Sequence, residues 1–185
     1  MISMTEPEVS LRLAMYYIKN HLTEQDVKVS IDGAHIKTEK VLHFDIERFL
    51  GENNCVKIDG DFDRWQGRYC IKGQRAEIIL ESIPGYGDVQ ILLQNGKTLF
   101  VESKKSKQEK SGQEYPLMRE AIGQLMTSSF MNENTIPAVA VPYTKKSLEL
   151  AERWSKLEQI QKVGIRFILV QETGNIITIY KDMTQ

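Results

Sequence analysis

The sequence predicts a mixed α/β fold, a central sheet with helices packed against it. Three observations predict it. An apolar stripe at helical spacing opens the chain. A strand-rich middle follows, and the last third alternates helix, strand, helix, strand, strand. With 185 residues, no internal repeat and no Pro/Gly/Ser linker, residues 1–185 read as one domain with a substantial core.

Taken in order, residues 6–24 read as a helix with Val9, Leu13, Tyr16, Tyr17 and Leu22 on one side. Val27 to Ile31 alternates as a short strand. Thr38 to Leu50 reads as a helix, capped by Thr38 and stopped by Gly51, with Leu42, Ile46, Phe49 and Leu50 inward. The stretches CVKID, RYCIK and AEIILES read as strands joined by polar turns. A hairpin spans 88–104, and the polar loop KSKQEKSGQEY follows it. Pro116 to Phe130 is predicted helical, with Leu117, Ala121, Ile122 and Leu125 inward. PAVAV is a buried strand. Lys145 to Val163 is predicted as one amphipathic helix carrying Leu148, Ala151, Leu157 and Ile160. IRFILVQ and NIITIYK finish as strands around Glu172-Thr173-Gly174.

Composition narrows the function classes. A net charge of −1 excludes a globally basic nucleic-acid coat, so a nucleic-acid site would be a local patch. Cys55 and Cys70 form neither a CxxC pair nor a disulfide framework, and read as reduced thiols. The start, Met1-Ile2-Ser3-Met4-Thr5, lacks the basic-then-apolar order of a secretory signal, and no apolar run is long enough for a membrane helix. A cytoplasmic protein is expected. Neither GxxxxGK, GxGxxG nor Gly-x-Ser-x-Gly occurs, and His21, His35 and His43 lack zinc spacing. Asp59, Asp61 and Asp63 suggest a calcium loop, but its sixth and twelfth positions are Arg64 and Cys70 instead of Gly and Glu.

The chemistry concentrates in the hairpin. Glu102-Ser103-Lys104 closes an apolar strand, Leu99-Phe100-Val101, and puts an acid and an amine on one face of it. Acid-x-Lys occurs twice in the chain, the other instance being Asp26-Val27-Lys28. That is about what chance places, so context has to separate them. Only Glu102 has an acidic partner across a hairpin, Asp88. The register decides whether the two meet. A two-residue turn at Asn95-Gly96 would pair Glu102 with Val89 and set the carboxylates on opposite faces. A three-residue loop, Gln94-Asn95-Gly96, with Gly96 at positive φ, pairs Ile91 with Leu99 and Val89 with Val101. That register makes an apolar layer of Val89, Ile91, Leu93, Leu99 and Val101, and sets Asp88 opposite Glu102. Pattern and chemistry ask for the same loop.

The set "GYGDV…LFVESKK…EAIGQL" resembles the core of the PD-(D/E)xK, or restriction endonuclease-like, nuclease superfamily. The resemblance covers residues 85–142 as catalytic core and, by element order, the rest to 180. Residues 28–83 are left as a strand-rich, family-specific insertion in the N-terminal half. The family often has Pro beside its first Asp; here Pro84 is displaced and Gly87 precedes Asp88. The resemblance implies a metal-dependent endonuclease, a hydrolase of DNA phosphodiester bonds.

The residues themselves suit that chemistry. Magnesium or manganese would make a water nucleophilic and stabilise the charged phosphorus centre. Asp88 and Glu102 supply hard oxygen ligands, and the resemblance implies the Ser103 backbone carbonyl as a third. Lys104 would orient the water, help remove its proton or offset phosphate charge. The resemblance further implies that Gln124 reaches the site, and that an acid on the first helix, here Glu8, joins the metal ligands. Glu8 equally completes a capping box begun by Thr5. Lys105, Lys107 and Lys110 border the cleft as candidate phosphate contacts. Tyr86 could stack on a base or pack on a neighbouring element. Cutting both strands of a duplex takes two sites, so DNA and a second copy of the chain, in a homodimer, are the expected partners. Two other readings stay open. One is an inactive nuclease fold that binds nucleic acid or protein; the other is an unrelated α/β binding module in which Glu102 and Lys104 form a surface salt bridge.

Overall fold

The computed structural model describes residues 4–106 and 112–182. Helix α1 (Glu6–Lys19) starts at a Thr5 cap whose hydroxyl accepts from the Glu8 N–H. It is buried almost all round: Glu6, Glu8, Arg12 and Tyr16 are half-buried and only Lys19 is exposed. Such a helix belongs inside a fold, and α1 lies across one face of the sheet against its central strands. It ends at Lys19, five residues before the predicted end. Asn20 closes it, His21 turns left-handed at φ 54°, and Leu22 is left exposed.

The remaining elements are β1 (Val27–Ser30), α2 (Gly33–Ile36), β2 (Lys37–Thr38), β3 (Val41–Leu42), α3 (Ile46–Glu52), β4 (Cys55–Asp59), β5 (Gly67–Ile71) and β6 (Glu77–Glu81). Then come β7 (Val89–Leu92), β8 (Thr98–Ser103), α4 (Glu114–Thr127), β9 (Thr135–Pro142), α5 (Lys145–Trp154), α6 (Glu158–Val163), β10 (Arg166–Val170) and β11 (Ile176–Ile179). Among the described residues nine strands make one mixed sheet in the order β11-β10-β9-β8-β7-β1-β6-β5-β4. β1 pairs parallel with β6 and antiparallel with β7, which pairs antiparallel with β8; β8, β9 and β10 are parallel. So β1, β6, β8, β9 and β10 all end at the same edge, and β7 starts there. Crevices outside the carboxyl ends of parallel strands are where α/β sheets gather ligands.

Two apolar clusters sandwich the sheet. One joins α1 to Val29, Ile78, Val89, Ile91 and Val101. The other joins α4 and α5 to Phe100, Val139 and Phe167. On that second face Val56, Ile58 and Leu92, out on β4 and β7, remain exposed. Residues 28–83 contribute β4, β5, β6 and most of β1 to this one sheet, with β1 between β6 and β7. Among the described residues no helix is long and apolar enough to cross a membrane.

Two predicted helices are broken. Thr38–Leu50 is a small ribbon, β2 against β3, followed by α3. Glu39 sits left-handed at φ 49°, and Asp45 rather than Thr38 caps the helix, accepting from the Arg48 N–H. Only Ile46 and Leu50 of the expected stripe are buried. Lys145–Val163 splits at Ser155–Leu157, where Leu157 turns extended and is half exposed before α6 begins. Helical spacing continued across both breaks, so periodicity alone hid them.

The hairpin takes the register that the apolar layer demands: Val89 pairs with Val101, Gln90 with Phe100, Ile91 with Leu99. The Leu93 N–H donates to the Lys97 carbonyl (2.9 Å), and Gly96 closes the three-residue loop at φ 80°. Gly87 is under tighter constraint. Its φ is 68°, and a Cβ there would lie 2.7 Å from the Phe100 ring. Gly87→Ala should therefore lower stability by about 2–4 kcal/mol, through both backbone strain and overpacking. Gly96→Ala, which meets open space, should cost only the left-handed backbone, about 1 kcal/mol. Urea unfolding of the two variants against the parent checks the difference.

Candidate functional site

Asp88 and Glu102 both line the cleft at this end of the hairpin, where the paired register stops at Val89 with Val101. The Asp88 N–H donates to the Val101 carbonyl (2.9 Å), and the Ser103 N–H donates to Asp88 Oδ2 (2.6 Å). The two carboxyls lie within hydrogen-bonding reach of each other. Since the amide and carbonyl of a strand residue leave on the same side, Ser103 turns its carbonyl towards β7 as well. Its side chain points the other way and accepts from the buried Ser10 hydroxyl of α1 (2.9 Å).

Lys104 is only 4% exposed. Its ammonium is 3.2 Å from Glu120 Oε1 on α4 and 3.8 Å from Glu6 Oε2 on α1. Burial pushes its pKa down, but Glu6, the hydrogen bond that Lys104 donates to Glu120, and Asp88 outweigh that and hold it above the ordinary lysine value. At neutral pH Lys104 is a fixed cation and a donor, not a base. Burial and the neighbouring Glu102 and Glu6 raise Asp88 well above the usual carboxylate range, against the Ser103 N–H that lowers it. Burial lifts Glu102 to about 7, although Lys104 opposes the rise. Burial likewise raises Glu6, with Lys104 and His35 opposing.

Glu6, not Glu8, is the first-helix acid that meets the cluster. Glu8 faces outward and pairs with Arg12, its Oε1 2.8 Å from Nη2. Glu6 also lies 3.6 Å from His35 Nδ1. The helix pattern carried the signal: Glu6 precedes the buried Ser10 by one turn, whereas Glu8 shares the outward strip of Arg12 and Lys19. Glu120 of α4, 56% exposed, is the second carboxylate partner of Lys104. Gln124 lines the cleft beside both carboxylates. Lys105 is exposed and close enough to Glu6 to lower its pKa. Lys107 and Lys110 lie outside the described residues. Tyr86 packs its ring 4.5 Å from that of Phe130 and stays 38% exposed.

A cleft of about 500 Å³ opens in front of Asp88 and Glu102. The loop 82–87 forms one wall, the end of α4 another, and Ser30–Asp32 a third. A smaller cavity of about 180 Å³, with Glu6 and His35 in its wall, shares Asp88 and Gln124 with the cleft. Among the described residues no three His, Cys, Asp or Glu side chains converge as a ready-made ion cage. Two carboxylates, Asp88 and Glu102, line the cleft. Four acids, Asp88, Glu102, Glu6 and Glu120, lie near the ammonium of Lys104. That surplus of negative charge suits a hard divalent ion that keeps several of its own waters.

The raised Glu102 fixes a pH dependence. Its folded value, about 7, lies above its unfolded value near 4.5, so the folded state binds more protons in between and stability falls as pH rises across that window. Glu102→Gln should lessen the fall, Asp88 and Glu6 supplying the remainder, and stabilise the ion-free protein at pH 8 by the order of 2 kcal/mol. Urea unfolding at pH 5 and pH 8 checks this; an unchanged pH slope in the variant would show that Glu102 is not the group responsible.

No protein-family model, curated protein or solved structure matches this chain.

Proposed function

We propose that the chain is a divalent-metal-dependent nuclease with a restriction endonuclease-like core, hydrolysing phosphodiester bonds in DNA. One observation carries the reading: Asp88 and Glu102 stand side by side at the edge of an open cleft, with a permanently charged lysine next to them. Two like charges at this distance are unfavourable by themselves. A site that keeps them together is built for a cation or a shared proton.

Asp88, Glu102 and the Ser103 carbonyl would hold magnesium or manganese. That ion, when bound, supplies a Lewis acid for the phosphoryl oxygen and lowers the pKa of an attacking water. The Ser103 N–H fixes Asp88 in one orientation, so the carboxylate need not reorganise when the ion arrives. Lys104 donates to a phosphate oxygen or orients the attacking water, and its ion pairs keep it from supplying the base. Gln124 can donate or accept at the cleft edge and position the sugar-phosphate chain. Each chain offers one such site, so cutting both strands of a duplex would require two copies.

The test is cleavage of linear, branched and single-stranded DNA with Mg²⁺ or Mn²⁺. Asp88→Asn should cut at least about 10³-fold more slowly while binding DNA as well or better, since a repelling charge is gone. Lys104→Ala should lower the rate about 10²-fold with little change in metal affinity. Full activity in Asp88→Asn would remove this residue from the site. DNA bound but never cut, with either ion, would leave a binding protein on the same fold.

A further inference from the structure

We propose that the cleft beside the carboxylates is a pocket for an unpaired base, which makes the preferred substrate single-stranded or frayed DNA; this rests on the nuclease reading above. The lining carries the argument. Ser82 and Ser129 offer hydroxyls, Ser30 and Thr127 give their protons to the Ile83 and Gly123 carbonyls and keep only acceptor capacity, Ile83 and Pro84 offer apolar surface, and Asp32 adds another acid. Among the described lining residues there is no lysine or arginine. A duplex presents a negative charge about every 1.7 Å of its length, and surfaces that grip it do so with cations. α4 also ends here, at Thr127, so the negative end of its dipole adjoins the cleft. A phosphate chain is repelled by such a wall. A neutral base is not, and hydroxyls can meet its edge as donor or acceptor.

Size and shape agree. A volume of about 500 Å³ falls in the range that holds a small organic ligand, enough for a nucleoside and far too small for a double helix. Tyr86 stands between the wall glycines Gly85 and Gly87. Its ring is backed by Phe130, and Phe130 in turn stacks on Phe100 with centroids 6.2 Å apart. This exposed ring lies beside the cleft and not in its lining, where it can stack a neighbouring base, and stacking tolerates any base. A cation lies on the far side of Asp88: Lys105 is near Glu6, which lines the smaller cavity. The site thus has a base side and a phosphate side, with the carboxylates at the boundary between them. An intact helix keeps its bases stacked inside and cannot deliver one to the pocket without unpairing it.

The test compares one end-labelled sequence as a single strand, a blunt duplex and a duplex with a single-stranded tail. Cleavage in Mg²⁺ and fluorescence anisotropy are both read. The single strand and the tail should be cut at least tenfold faster than the blunt duplex. Ser82→Trp and Ser129→Trp, which fill the cleft from opposite walls, should each erase most of that advantage, with circular dichroism confirming the fold. Equal cutting of the blunt duplex, or full single-strand preference in both tryptophan variants, overturns the pocket while leaving the nuclease standing. If nothing is cut, anisotropy decides. Tighter binding of the single strand that is lost in both variants upholds the pocket and ends the nuclease reading; equal binding ends both.

Discussion

The Asp88–Glu102 pair exists because something else holds its strands in place. On the opposite face of the same hairpin, Val89, Ile91, Leu99 and Val101 are fully buried under α1. Sliding one strand by a residue would turn these side chains out of the core and bring polar ones in, at a cost of several kcal/mol. Repulsion between two carboxylates is smaller than that, so the apolar layer dictates and the acids comply. The Ser103 N–H on Asp88 and the ammonium of Lys104 then temper what the packing imposes. Burial energy on one face of the sheet is stored as unfavourable charge on the other, where a cation or a proton can relieve it.

Lys104 shows how far the elements are tied together by this charge balance. It ends β8, yet its partners come from α1 at the start of the chain and from α4 beyond the polar loop. The Ser10–Ser103 hydrogen bond fastens α1 to the same strand end, and the Ser106 N–H donates to the Met4 carbonyl just above it. Removing either glutamate would leave a buried ammonium short of a counter-charge, an expensive defect in a low-dielectric setting. The acids around Lys104 are therefore structural as well as chemical, and the two contributions are not separable by one substitution.

Much of this was legible from the chain alone. Apolar alternation fixed the hairpin register and the three-residue loop, because burial has a period of two and admits one solution; the ladder stops at Val89 and Val101, and Asp88 meets the Ser103 amide through its side chain. Element order foretold a mixed sheet flanked by helices. The failures share a cause. Leu157 and Leu42 continued a helical spacing, but spacing cannot reveal a left-handed Glu39 or an extended Leu157. Glu8 matched a capping spacing, while the face of α1 that carries Glu6 inward is set by packing. The walls of the cleft come from segments far apart in sequence, Ser30–Asp32, the 82–87 loop and the end of α4, and no local pattern links them.

The placement of β1 has a consequence for how the molecule comes to be. It lies between β6 and β7, so the chain must travel out through β4, β5 and β6 before β7 returns to pair on its other side. These are distant pairings, and closing long loops before any contact repays the lost entropy slows folding. Glu6, Asp88, Glu102 and Gln124 are likewise scattered over more than a hundred positions. During synthesis the carboxylates and their counter-charge come together only once β8, β9 and α4 are in place. A fragment holding residues 85–142 alone would lack both the strand that supports Asp88 and the helix that steadies Lys104. The chemistry is thus a property of the finished sheet, and the nascent chain carries none of it.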